Sequence, residues 1–550
     1  MKKSLGVSTL HNLLKKLNFK NKEKRGMTKK RSAIGLTLAA AILLSTIPGD
    51  IYARQGDSGY EGGISSGETP SMTSQSSKSK YQYQYEEPCF LSGVPVIMKG
   101  TLTLSKSLKD DSKNQTQVLT TQYTYSLSSG TTDKLSRTLT FVTTITTKPN
   151  GQKVESTQLT KASETVNVGG KKYEIRSIAD YELTKSILND TKPAVNYYQG
   201  EVISRKKYTV SGSQKTKDYV IVESTTLYTG YDQYWSSAET QIINQEIVRQ
   251  SSGKAVTVGS VKMEVSTTTK KELEYFENLP EQSSIAGGYV QTQANESVLK
   301  YTAVLSELDR YGQPTSKKVT YTKDLKLESF PTSTRLVSPN LNKLRGHHSE
   351  ENIALMFGLE AFKPEKAADF DPQEYMSRAE FVDAFLKIAP EVPLDPAFNK
   401  KKNSSTKKSK KETVTSVFSD VPASHIYLES INEASKRGII SGAGKSKFRP
   451  EDLITLSEAV ALMINTLGLN GLAPNPVPVT SFKDNDQIPV YARAPMYVAE
   501  QIGLISEDAK GYIYPNSNIT KAKFADMMRT YIDYMSKDIR KEYMDRLISY

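Results

Sequence analysis

From Tyr81 to about Val337, apolar and polar residues alternate with a period of two. Examples are Tyr81-Gln-Tyr-Gln-Tyr85, Gly100-Thr-Leu-Thr-Leu-Ser105, Leu139-Thr-Phe-Val-Thr-Thr-Ile145 and Lys318-Val-Thr-Tyr-Thr322. Successive side chains of a strand point to opposite faces, so this pattern predicts β-structure with one wet face. Pro149-Asn-Gly151, Gly169-Gly170, Ser251-Ser-Gly253 and Gly287-Gly288 punctuate the runs at hairpin spacings. An antiparallel all-β N-terminal region of one or two domains follows, as a sandwich or, less favoured, an elongated clamshell sheet. Past Pro331 the period changes to that of amphipathic helices, predicted at Asn352–Leu359, Arg378–Ile388, Ser430–Arg437, Ser457–Leu467, Ala492–Ile502 and Ala522–Met535. The C-terminal third is therefore expected to be an α-helical unit.

The first residues narrow the setting. Ala33 to Ile47 is an apolar run behind Lys29, Lys30 and Arg31, with a small-residue exit at Ile51-Tyr52-Ala53. It falls short of the ~18 residues of a spanning helix, and predicts a signal peptide over residues 1–53, cleaved after Ala53, with Met1 and Met27 as alternative starts. Residues 54–80 are Gly/Ser-rich and poor in large apolar side chains, which predicts a flexible spacer. Cys89 is the only cysteine, so no intramolecular disulfide forms. A long secreted chain without disulfides suits a Gram-positive exterior.

The net charge of +13 suggests a nucleic-acid partner until it is located. Residues 1–53 hold eleven Lys/Arg against Glu23 and Asp50, which leaves the remainder near +4. Most of the basicity therefore belongs to targeting, and neither nucleic acid nor, after cleavage, a membrane is an expected partner. The local exception is Lys400, Lys401, Lys402, Lys407, Lys408, Lys410 and Lys411, read as a solvated Lys-rich linker over residues 394–416 or as an added attraction to a polyanion.

The helical third repeats itself. Phe370-x-Pro372 with Ser377, Phe448-x-Pro450 with Thr455 and Ile513-x-Pro515 with Thr520 each place a hydroxyl five residues after a proline. Phe418-Ser-Asp420 matches Phe482-Lys-Asp484, and Gly438 and Gly503 each stand ten before Phe448 and Ile513. The local chemistry is architectural: Ser377-Arg-Ala-Glu380 and Thr455-Leu-Ser-Glu458 are capping boxes, Thr520-Lys-Ala-Lys523 keeps the cap alone, and the two glycines suit helix C-termini. Such periodicity marks an array of one supersecondary unit.

The order Phe-x-Asp, helix, Gly-Ile-Ile-Ser, Phe-x-Pro, Ser/Thr-Arg-Ala-Glu-Phe resembles the S-layer homology family. The resemblance covers about a third of the chain: a divergent repeat at 346–393, lacking the Phe-x-Asp opening, and repeats at 417–467 and 481–535. It implies a pseudo-threefold unit whose grooves bind an anionic, commonly pyruvylated, secondary wall polysaccharide and locate the protein in the cell wall or S-layer. Carried over by position, Ser377 with Arg378 and Thr520 with Lys521 would meet the ligand's carboxylate, Tyr491 would lie under a sugar, and Asp420 and Asp484 stand at the repeat openings. Leu456 replaces the basic residue in the middle repeat, and Ile426 beside His425 takes the aromatic position there, so one or two working grooves are expected. Other surface proteins remain open as partners of residues 81–337, the β-rich ectodomain.

Catalytic chemistry is sparse. His347, His348 and His425 are the only histidines after the leader, all in the helical third, and the chain has no His-Glu-x-x-His, Gly-x-Ser-x-Gly or phosphate loop. No cofactor or metal is implied, and His347-His348 reads as a surface pair. The expectation is a non-enzymatic structural or interaction protein. The alternative is a wall-anchored polysaccharide hydrolase using carboxylates such as Asp180, Glu182, Asp232 and Glu246. Trp235, the only tryptophan, reads as core.

Overall fold

The structure is a computed structural model that describes residues 61–65, 79–111, 116–211, 218–251, 253–276, 287–309, 313–392, 415–441, 446–537 and 539. The expected leader and the lysine block from Lys400 to Lys411 lie outside these residues.

Fifteen strands form one continuous antiparallel sheet: β1 (Ile64–Ser65), β2 (Ser79–Cys89), β3 (Val96–Asp111), β4 (Thr116–Ser129), β5 (Asp133–Thr147), β6 (Lys153–Val168), β7 (Lys171–Ile175), β8 (Tyr181–Thr191), β9 (Val195–Val210), β10 (Tyr219–Gln233), β11 (Ser236–Ser251), β12 (Lys254–Phe276), β13 (Gly288–Leu308), β14 (Pro314–Glu328) and β15 (Thr332–Val337). Almost every strand pairs with its sequence neighbour. The exceptions are that β7 and β8 share the gap between β6 and β9, β7 against Glu164–Val168 and β8 against Lys153–Gln158, and that β14 and β15 both pair with β13. The period-two pattern is realised directly, as β4 buries Tyr123, Tyr125 and Leu127 and exposes the residues between them.

The expected sandwich does not form. The sheet buries its apolar face by curling until its ends meet: β1 lies against β13 and β14, and the Phe90 ring packs edge-on against Tyr301 of β13, centroids 5.3 Å apart. One core joins residues from β1 through β14.

An ion network lies inside that core. Arg137 (β5) donates two 2.9 Å bonds to Glu87 (β2) and one of 2.7 Å to Glu164 (β6), while Lys206 (β9) pairs with Glu61 and, at 3.4 Å, with Glu164. Tyr181 Oη donates to Glu61 at 2.5 Å and Tyr208 Oη to Glu164 at 3.1 Å. Glu61–Ser65 falls in the segment expected as a spacer. It is held here because its carboxylate completes the network and Ile64 is fully buried, two specific contacts that average composition hides. Residues 66–78 of that segment lie outside the described residues.

The helices are α1 (Glu350–Gly358), α2 (Arg378–Ile388), α3 (Leu428–Lys436), α4 (Leu456–Leu467), α5 (Arg493–Gln501) and α6 (Lys521–Lys537), close to the six predicted spans. Gly438 (φ +74) and Gly503 (φ +70) end α3 and α5 in the left-handed region, as their positions suggested.

Sheet and helices share a second core. Ala194, Val195, Tyr197, Tyr231, Trp235, Ala238 and Tyr289 pack with the buried faces of the helices. The last turns of α2, α4 and α6 all end on the sheet, and polar groups of the sheet satisfy their free carbonyls. Trp235 Nε1 donates to Ile388 O (2.9 Å), Tyr197 Oη to Leu467 O (3.2 Å), Ala194 N to Thr466 O (3.2 Å), and Gln233 Nε2 and Ser236 Oγ to Met535 O (2.6 and 2.9 Å).

Trp235→Ala is expected to cost about 3–5 kcal/mol by leaving a large cavity and an unmet carbonyl. Calorimetry should then resolve separate β and helical transitions where the parent shows one; an unsplit, unshifted transition would contradict the shared core.

Candidate functional site

The conserved spacing inside the helical third has a geometric origin. Met376, Ile454 and Ile519, each immediately before a cap, close a ring: Met376 N donates to Ile519 O (2.9 Å), Ile519 N to Ile454 O (3.0 Å) and Ile454 N to Met376 O (3.2 Å). The first turn of each following helix donates to the proline turn of the next segment. Arg378 N and Ala379 N reach Asp452 O and Pro450 O, Leu456 N and Ser457 N reach Ser517 O and Pro515 O, and Lys521 N and Ala522 N reach Glu374 O and Pro372 O. The proline turn therefore satisfies donors that a helix start leaves unpaired. Side chains, not these N–H groups, are left to meet a ligand at the helix starts.

The caps are as follows. Thr455 forms the full capping box with Glu458, and Thr520 Oγ1 accepts from Lys523 N at 3.2 Å. Ser377 Oγ accepts from Glu380 N at 3.2 Å, but the reciprocal bond expected from Glu380 is replaced by an approach to Lys521 Nζ at 3.7 Å. Asp420 accepts from Phe448 N and Arg449 N, both at 2.8 Å, and Asp484 from Ile513 N and Tyr514 N at 3.1 and 2.7 Å. These carboxylates brace turns whose Arg449 (φ +62) and Tyr514 (φ +54) are left-handed. Burial alone would raise the Asp420 pKa, but the two N–H donors outweigh it and hold the carboxyl below its ordinary range.

Arg378 and Lys521 occupy equivalent positions. Arg378 donates from Nε to Phe448 O (3.1 Å) and from Nη1 to Glu458 (2.6 Å), and lies over the Phe448 ring. Lys521 pairs with Glu374 and lies over Phe370, the matching aromatic. Both are largely covered, with side chains 14 % and 8 % exposed. Tyr491, 58 % exposed, is brought to Arg378, Thr455 and Glu458, so residues from three segments meet in one cleft. Partial burial, then the charge of Glu458, raises the Tyr491 pKa.

A second cleft holds Lys521, Glu380, Asp383, Lys363 and Tyr427, a tyrosine that the sequence reading passed over. Its neighbour Ile426, at the expected aromatic position, is 76 % exposed. Burial, then the charges of Glu380 and Asp383, pushes Tyr427 up to about 12, and Lys363 Nζ sits 5.3 Å from its ring centre. At the third position Leu456 is buried in place of a cation, and Asp526 accepts from Ser349 Oγ (2.9 Å) and Asn352 Nδ2 (2.8 Å). His347 and His348 stack beside it, and no cluster of three or more metal-type ligands occurs among the described residues.

The curled sheet encloses a cavity of about 340 Å³ that reaches the helical unit. Of the four carboxylates considered from sequence, only Asp232 lines it; Glu182 and Glu246 are exposed on the sheet. Asp232 is joined there by Glu239, which sequence reasoning missed and which accepts from Tyr198 Oη (2.9 Å) and Gln241 Nε2 (2.7 Å). Burial pushes Glu239 up to about 7 against these two donors. No sequence signal marks it, because only the curl of the sheet buries this position.

The S-layer homology domain profile matches residues 417–460. The chain is 25 % identical over 185 residues to an amylopullulanase of Thermoanaerobacterium thermosulfurigenes, covering 34 % of this chain and 9 % of that one. It is 23 % identical over 198 residues to the surface-layer 125 kDa protein of Lysinibacillus sphaericus (36 % and 15 %), and 32 % identical over 111 residues to S-layer protein EA1 of Bacillus anthracis (20 % and 12 %). The chain thus spans less than a fifth of the length of each relative. No helix among the described residues is long and apolar enough to cross a membrane. The matched domain and the surface-layer relatives define a secreted, cell-wall-associated protein. Residues 417–460 of the chain form an S-layer homology domain, a wall-anchoring module.

The Glu239 shift makes a stability prediction. A carboxyl whose pKa rises from 4.5 to about 7 on folding contributes stability that is whole below about pH 4.5 and lost as pH rises through 7. Glu239→Gln removes this dependence. Its stability relative to the parent should grow between pH 4.5 and 8 by roughly 3 kcal/mol, read from urea unfolding at both pH values.

Proposed function

We propose that residues 346–393, 417–467 and 481–535 act as three S-layer-homology-like repeats forming one unit, which holds the protein non-covalently on an anionic, pyruvylated secondary wall polysaccharide of a Gram-positive wall. The observation that carries this reading is the cyclic recurrence of one arrangement: a basic residue of one segment, an aromatic of another and the cap of a third. With the glutamate three residues after each cap as the third member, it recurs as Arg378, Tyr491 and Glu458, and as Lys521, Tyr427 and Glu380. A ketal carboxylate suits a guanidinium that still has donors to spare, since Phe448 O and Glu458 engage only two of its five. The lysine cleft offers a point charge without the fork. Leu456 leaves the third position without a charge clamp, so two clefts bind and one does not. In this reading the β-region is a displayed structural or interaction domain.

The second reading, a wall-anchored polysaccharide hydrolase, draws on Asp232 and Glu239 in one cavity and on the amylopullulanase relative. A chamber of about 340 Å³ is the size of a small-molecule site, not of a groove for a polymer, and that favours the anchor.

The test is retention of the chain on purified wall sacculi before and after the secondary polymer is stripped. Since the sheet caps the helix ends, the whole secreted chain is the proper ligand, not the helical third alone. Arg378→Ala and Lys521→Ala should each weaken polymer-dependent retention roughly tenfold or more. Retention indifferent to polymer and to both variants would overturn the anchor. Release of sugars from the polymer by the parent and not by Glu239→Gln would establish the hydrolase.

A further inference from the structure

We propose that the chamber inside the curled sheet is a binding site for a single-chain anionic amphiphile, with its tail lodged between strands β4 to β9 and its head at the end roofed by the helical unit.

The shape of the chamber comes first. Residues from Gln117 to Tyr125 line it along β4, a run of about 27 Å at the ~3.4 Å rise of an antiparallel strand. Its 340 Å³ is drawn out over that length. The space is elongated along the strands, as a single extended chain requires.

The strand registers give the order of the lining along this axis, in which Lys106 of β3 stands opposite Thr121 and Glu155 and Lys185 lie in the middle. At the deep end Tyr123 pairs across with Leu139 and Thr121 with Phe141, above the buried ion network. In the middle Thr143 and Thr157 bond to each other at 2.8 Å, which satisfies their hydroxyls within the wall. The roofed end is polar: Lys153 pairs with Asn189 in register, and Asn196, Asp232, Glu391 and Arg437 complete it. Leu119, Leu139, Phe141, Ile145 and Ile187 supply apolar surface for a tail beside these charges, and the roofed end is the more polar.

Arg437 selects the sign of the head. Its Nη2 donates to Pro193 O (2.8 Å) and Ala389 O (2.6 Å), while Nε is buried with no hydrogen-bond partner. No carboxylate pairs with it among the described residues, whereas Lys192 at the same end is held by Asp190 at 2.9 Å. Burial, its largest influence, lowers the guanidinium's pKa against the more distant charges of Glu391 and Glu433. Arg437 lines the chamber without a carboxylate at ion-pair distance among the described residues, and an anionic head supplies that close charge partner.

The test uses the full secreted chain, stripped of bound lipid, in calorimetric titrations with dodecanoate, lysophosphatidylglycerol, dodecylamine and maltose. Dodecanoate and the lysophospholipid carry the same anionic-chain chemistry on a free carboxylate and on a membrane-derived phosphate; whichever binds identifies the source. Saturable binding of either, with none of dodecylamine or maltose, is expected. Arg437→Gln should weaken it about tenfold and Arg437→Lys should restore most of it. Leu119→Trp, which fills the bore, should abolish it while circular dichroism and wall retention stay at parental levels; if that variant misfolds, the Arg437 pair decides. Equal binding of cationic and anionic chains, preference for maltose, or no binding by the parent would overturn the proposal.

Discussion

The architecture depends on how three helices end. A helix leaves its last carbonyls unpaired, and burying them without donors costs about as much as a lost hydrogen bond for each. In this protein α2, α4 and α6 terminate against the sheet, where the Trp235 indole, the Tyr197 hydroxyl, the Ala194 amide, and Gln233 with Ser236 supply those donors. Tryptophan suits the position because it combines a large apolar surface with one directed N–H. The sheet is thus part of what folds the helical unit. Cutting the chain near residue 338 would expose both an apolar face and a set of unmet carbonyls.

The sheet faces a register problem of its own. Fifteen antiparallel strands rich in Thr, Ser and Lys have many nearly equivalent pairings, and a slip of one residue inverts the faces. Arg137 and Lys206 inside the curl bind carboxylates from β2, β6 and the segment just before β1, and only one alignment of these strands brings them together. Buried ion pairs contribute little net stability but penalise every arrangement that separates them. The network holds three acids against two bases. Burial raises the Glu87 pKa while the pairings lower those of Glu61 and Glu164.

Sequence alone revealed whatever is local. Strand alternation, all six helices, the cap hydroxyls and the left-handed Gly438 and Gly503 depend on residues within a few positions of one another, and their spans agree with the structure. Contacts that join distant segments were hidden. Glu61 sits in a Gly/Ser-rich stretch, yet it completes an ion network with residues more than seventy positions away. Tyr427 lies one position beyond the expected aromatic, and only the crossing of segments shows that its ring fills a cleft. Glu380 had the spacing of a capping box, but a lysine from another segment competes for its carboxylate. The curl of the sheet, and with it the cavity and Glu239, follows from closure of the whole strand order and from no single motif.

The helices also fix where binding events can occur relative to one another. Arg378 and Lys521 stand at helix starts, and the sheet meets the same helices at their ends. The eleven residues of α2 therefore separate its cleft from Trp235 by about 16 Å. Arg437, directly after α3, and Glu391, three residues after α2, line the roofed end of the chamber, at the sheet side of this layer. A polymer in the clefts and a small ligand in the chamber would then occupy opposite ends of the same rigid rods. Neither would obstruct the other, and any strain that one imposed on α2 or α3 would reach the other through the helix itself.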